Sequence, residues 1–135
     1  MSKLLFRATI PGRCIVKKNT KNIVGRGRTR RAYYSPKFVS WERDAMVSLL
    51  DALKRQRCEL ITCECVAVFY FCFANRMAEA DVSNLIEGPQ DALVKAGVLK
   101  DDRLIQRVTG QKFFGGIPHT EIEIYEVQEI TQEET

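Results

Sequence analysis

From Leu4 to Ile10 the chain carries a short apolar-rich run stopped by Pro11-Gly12, which predicts a first strand ended by a turn. Asn19, Asn22, Gly25 and Gly27 then break any period, so residues 13–31 read as a mobile loop or loose hairpin leading to a short strand near Ala32-Tyr33-Tyr34. Ser35-Pro36 supplies a helix N-cap with proline in the first helical position. Phe38, Trp41, Ala45, Leu49 and Leu53 follow at helical spacing and predict an amphipathic helix over 36–56.

The period changes after Glu59. Ile61, Cys63, Cys65, Ala67, Phe69, Phe71 and Phe73 alternate with Thr62, Glu64, Val66, Val68, Tyr70 and Cys72 through Ala74. The latter half is apolar on both faces, which predicts a central strand covered by helices. Ser83 to Ala96 reads as a second helix closed by Gly97, with Gly88-Pro89 inside it expected to kink or restart the turn pattern. Leu104–Phe114 and Thr120–Val127 predict two further strands joined through Gly115-Gly116-Ile117-Pro118, with Ile122 and Ile124 toward the core and Glu121 and Glu123 in water. The expected fold is a single α/β (α+β) domain over residues 1–127, a mixed sheet of about four to five strands with two main helices. Residues 128–135 form an acidic, flexible tail in this reading.

Length and charge narrow the field. With 135 residues and 45% apolar content there is room for one core and not for two. The net charge of +4 permits a polyanionic partner without requiring one. Its distribution says more: Lys17, Lys18, Lys21, Arg26, Arg28, Arg30 and Arg31 follow one another with no acid between them. A solvated loop is the plain reading of such a run; its interleaved glycines also suit contacts to DNA phosphates, which give affinity with little sequence reading. Cys14, Cys58, Cys63, Cys65 and Cys72 are odd in number and lack the C-x-x-C spacing of a zinc site, so they read as reduced thiols of a cytoplasmic protein. Met1 to Arg7 does not form a signal peptide, and no apolar run approaches a membrane span.

The chemistry concentrates around the second helix. Asp81-Val82-Ser83-Asn84-Leu85 opens it, Asp91-Ala92-Leu93 lies within it, and Gly97 is followed by Asp101-Asp102. Asp81 alone would be an ordinary acid favouring a helix dipole. Carboxylates at both ends of one helix could share a metal only if the loop after Gly97 folds back toward the helix start. His119, the sole histidine, falls beside the last turn and reads as a surface residue.

Those residues resemble the RusA family of junction-resolving endonucleases, bacterial and prophage-derived, whose pattern is Asp-x-Asp-Asn-Leu at a helix start, Asp-Ala-Leu further along, then Gly and an Asp-Asp pair. The likeness extends more loosely over nearly the whole chain, through Ile10-Pro11-Gly12, the basic loop and Ser35-Pro36-Lys37. What the resemblance implies is a RusA-like fold and a Mg2+-dependent endodeoxyribonuclease, with Mn2+ as an alternative metal and no organic cofactor. It would resolve Holliday junctions or other branched DNA through metal-activated water, with Asp81 and Asp102 as ligands. Magnesium suits such a site, since it prefers carboxylate oxygens and lowers the pKa of bound water.

Two positions depart from the pattern. Ser83 stands where the family has its second Asp, and Glu87 where it often has a catalytic lysine. Four residues apart, the two share a helix face, so Glu87 is expected to return the missing carboxylate and complete a catalytic and metal set of Asp81, Asp102 and Glu87. Ser83, Asn84, Asp91 and Asp101 are supporting candidates. The displaced positive charge must then come from Lys17, Lys18 or a partner subunit. A four-way junction is two-fold symmetric and needs two symmetric nicks, so a C2 homodimer is expected. The rival readings are a weak or inactive relative that still binds branched DNA, and an interaction module with no nucleic-acid role.

Overall fold

The computed structural model describes residues 3–17, 21–24, 31–77 and 80–127. Four strands form a mixed sheet in the order β1-β6-β4-β5, where β1 is Leu4–Pro11, β4 Cys65–Phe73, β5 Ile105–Phe114 and β6 His119–Glu126. Strands β2 (Lys21–Val24) and β3 (Arg31–Tyr34) make a separate antiparallel hairpin. Helix α1 spans Pro36–Gln56 and α2 spans Val82–Lys95, and Asp102–Leu104 adds one 3-10 turn. This is the expected single α+β domain.

Alternation along each strand builds the core. Ala8, Ile122, Phe69 and Gly110 stand side by side across β1, β6, β4 and β5, so they share one face. On that face Phe6, Ile10, Ala67, Phe71, Phe73 and Ile124 are buried. Phe38, Trp41, Ala45, Leu49 and Ala52 of α1 and Leu85, Ala92 and Leu93 of α2 join the same apolar cluster. The opposite face stays open to solvent at Thr9, Gln111, Phe113 and Glu121. The central strand therefore has its helices on one side, not both; Val66, Val68 and Tyr70 on the other are only half-buried.

Helix α1 begins and ends on local signals. The Ser35 hydroxyl accepts from the Phe38 amide at 3.3 Å, and Pro36 takes the position whose N–H has no intrahelical partner. Arg57 closes the helix in the left-handed region at φ 50°, its amide turned back on the Leu53 and Lys54 carbonyls. The β-run expected from Glu59 starts later, at Cys65. Ile61 instead makes one parallel bridge to Leu99, and Thr62, Cys63 and Glu64 are exposed. Two-residue alternation cannot tell a strand from an extended approach to one.

Helix α2 runs through Pro89 without restarting. A proline there cannot donate to the carbonyl four residues earlier, which is that of Leu85. The Cys14 thiol donates to this carbonyl at 3.7 Å and occupies the vacancy in the ladder. Cys14 is 4% exposed, and burial pushes its pKa up to about 12, so the S–H stays available as a donor. At its far end α2 stops where Gly97 takes φ 79° and the Val98 amide bonds the Leu93 carbonyl at 3.0 Å. Residues 13–17 are correspondingly not a mobile segment: Cys14 is buried, and Ile15 and Val16 pack on the core.

Two outcomes follow. In the native protein at about pH 8, exposed Cys63 is alkylated by iodoacetamide while Cys14 resists until the chain is unfolded, as peptide mapping of the labelled thiols would show. Gly97→Ala forces a Cβ into the left-handed region and lowers unfolding free energy by about 1–2 kcal/mol, read from the urea midpoint.

Candidate functional site

The polar side of α2 carries Ser83, Glu87 and Asp91 at i, i+4 and i+8, one stripe along the helix. Lys17, arriving from the segment after β1, ion-pairs with Asp91, and its ammonium lies 5.3 Å from the Tyr34 ring centre. Burial lowers the Lys17 pKa, but Asp91, with smaller contributions from Tyr34 and Glu87, outweighs it and the net shift is upward. The lysine is thus a fixed cation against the acidic stripe. Ser83 and Glu87 are exposed, whereas Asn84 and Asp91 are half-buried.

Beyond the helix the stripe continues into a hollow of about 380 Å³ lined by Asp91, Val94, Lys95, Lys100, Asp101 and Asp102. The Asp101 carboxylate accepts from the Arg103 amide at 2.8 Å and from the Arg103 guanidinium at 2.8 and 3.1 Å. These bonds hold its pKa well below the usual carboxylate range. Asp101 therefore caps the 3-10 turn, and its exposed neighbour Asp102 is the carboxylate turned outward.

Asp81 stands at the other end. It occupies the N-cap of α2 with extended geometry, φ −65° and ψ 138°, yet its side chain makes no capping hydrogen bond. An aspartate in that position ordinarily accepts from the first-turn amides. Here the amides of Asn84 and Leu85 are satisfied by the Asp81 backbone carbonyl at 3.0 and 3.1 Å, and the carboxylate is exposed. Two cations, one in the segment leading into α2 and one on β5, have no place in the sequence-derived set. Lys112 of β5 donates to the Ala80 carbonyl at 3.1 Å, and the Arg76 guanidinium lies 3.9 Å from the centre of the Phe114 ring. Alternation along β5 would have put Lys112 and Phe114 on the helix-bearing face, the one sequence signal that pointed to them.

The loop after Gly97 does not fold back. Val98 and Leu99 are fully buried, Leu99 bridges Ile61, and the 3-10 turn at Asp102–Leu104 leads into β5. Helix α2 is about 21 Å long at 1.5 Å per residue, with Asp81 at its start and Asp102 beside the hollow at its other end. Among the described residues no three His, Cys, Asp or Glu side chains stand close enough to hold a metal. One chain by itself does not assemble a site from Asp81, Glu87 and Asp102, although each offers the hard oxygen donor that magnesium prefers. His119 sits on the opposite sheet face, its Nδ1 2.7 Å from the Ile117 carbonyl and its Nε2 3.2 Å from Glu121, away from all three.

Of the expected DNA-contact residues, Lys17 is placed against Asp91, and Lys21 and Arg31 lie at opposite ends of the paired stretch, Lys21 across from Tyr34 and Arg31 from Val24. Lys18, Arg26, Arg28 and Arg30 fall outside the described residues, as does the expected tail over 128–135. No helix among the described residues is long and apolar enough to cross a membrane.

No curated protein matches the chain closely. The family model for the endodeoxyribonuclease RusA, in contrast, matches residues 11–125, from the end of β1 to near the end of β6 and across both ends of α2, and the chain therefore belongs to the RusA endodeoxyribonuclease family.

Proposed function

We propose that this chain acts as a Mg2+-dependent, structure-specific endodeoxyribonuclease that nicks four-way junctions as a C2 homodimer in the cytoplasm. Family membership implies the junction-resolving nuclease. The observation that carries the finer reading is the Asp81 carboxylate, held at a helix start and not used to cap it. A bound magnesium would supply a water of lowered pKa and neutralise charge on the phosphate.

The separation of Asp81 from Asp102 decides how such a site is completed. If both carboxylates serve one metal, the second must come from another copy of the chain, because α2 keeps the two apart within one. A two-fold dimer satisfies this twice, giving one site for each of the two symmetric nicks. Glu87 adds a carboxylate to the same polar stripe, and Lys17 stands beside it in place of a helix lysine. The basic residues of 17–31 supply phosphate contacts, so junction affinity should fall steeply with salt.

The first experiment is cleavage of an immobile four-way junction against matched linear duplex, with Mg2+ or EDTA. Wild type gives symmetric Mg2+-dependent nicks, and Asp81→Asn reduces them by about 10²-fold or more while leaving binding in EDTA intact. Junction binding without cleavage by the wild type would instead favour an inactive relative, the reading prompted by Ser83 and Glu87. Sharing of the site is tested by mixing. Asp81→Asn and Asp102→Asn are each inactive alone, but their mixed dimer contains one intact pair and recovers nicking. Donors drawn from a single chain would leave the mixture as inactive as its components.

A further inference from the structure

Strand β5 meets the approach to α2 through three residues of one face. Phe114 underlies the Arg76 guanidinium, Lys112 bonds the Ala80 carbonyl, and Gly110 lies beneath Val82 and Ile86. The order is antiparallel: as the chain advances from 76 to 82, its partners on β5 step back from 114 to 110. Gly110 sets the distance, since a Cβ there would come within 2.7 Å of Val82 Cγ1 and 3.0 Å of Ile86 Cδ1. A cation–π contact explains one outer member of the row and close apolar packing the other. A half-buried lysine between them asks for a different reason.

The bond from Lys112 to the Ala80 carbonyl is such a reason. A peptide unit is planar, so fixing the Ala80 carbonyl also fixes the Asp81 amide and the rotation of the plane from which Asp81 departs. That rotation sets the direction in which the Asp81 side chain leaves the backbone. A shift of even about 1 Å at a reacting group can cost on the order of 10²-fold in rate. We propose that Lys112 is a positioning residue for Asp81: through the Ala80 carbonyl it aims the carboxylate outward from the start of α2, and it keeps a positive charge within one residue of that carboxylate. The inference rests on the nuclease reading above and names a residue outside the acidic set and the basic loop.

The test compares Lys112→Met and Lys112→Arg with wild type in single-turnover junction cleavage, junction affinity in EDTA and thermal midpoint. Lys112→Met keeps the packing and removes the donor; it should cleave about 10²-fold more slowly while binding the junction within about threefold of wild type. Lys112→Arg restores a cationic donor and should recover most of the rate. Lys112→Thr suits a strand and cannot reach Ala80, so it replaces the Met variant if that one does not fold. Three results overturn the inference while leaving the nuclease reading intact: truncated variants that cleave within about threefold of wild type, an Arg variant no faster than Met, or a rate loss matched by an equal loss of affinity. A wild type that cleaves nothing overturns the nuclease reading, and this inference with it.

Discussion

The parallel pairing of β4 with β5 governs the rest of the molecule. Two parallel neighbours cannot be joined by a tight turn; the chain must travel back along the sheet before it can run forward again. Helix α2 is that return path. Its length is therefore tied to the sheet, and whatever precedes and follows it is delivered to opposite ends. Asp81 lies at one end and Asp101-Asp102 at the other for this reason, not because of anything in their own chemistry. The same crossover aligns Ser83, Glu87 and Asp91 along one side of the helix and brings β5 against its first turn.

Around that path, neighbouring segments are held to α2 by individual contacts. The Cys14 thiol takes the Leu85 carbonyl that Pro89 leaves without a donor, and Lys17, three residues later, reaches Asp91. The segment between β1 and the basic hairpin is thereby fastened to the helix at two points about one and a half turns apart. On the other flank, Lys112 and Phe114 fasten the residues leading into Asp81. The segment after β1, the acidic helix and the sheet edge thus form one mechanical unit although they lie far apart in sequence.

How much of this was legible depended on whether the cause was local. Ser35-Pro36 and the spacing from Phe38 to Leu53 located α1, because capping and burial act within a few positions. The alternation in β6 likewise sorted Ile122 and Ile124 from their glutamate neighbours. Glu59 to Glu64 misled because alternation continues there without a partner strand to pair with. Pro89 looked like a break, and only a thiol from seventy-five residues away explains why it is tolerated. Asp81, Asp91 and Asp102 were visible as residue types at suggestive spacing, but their separation was not, since it follows from the direction of β5. Alternation along β5 gives Lys112 its face and nothing more, because what it bonds is decided by a segment 32 residues away.

Strand β6 is inserted between β1 and β4 and hydrogen-bonds both, so the last of the described strands is the one that joins the first to the middle. Until residues 119–126 have been made, β1 has no ladder partner, and β4 can pair only with β5 on its other side. Closure of the sheet waits for β6, and pairings such as Phe6 to Ile124 join residues very far apart in sequence. An unfinished chain thus leaves β1 and one edge of β4 open until β6 arrives, and open strand edges are where wrong pairing and aggregation begin.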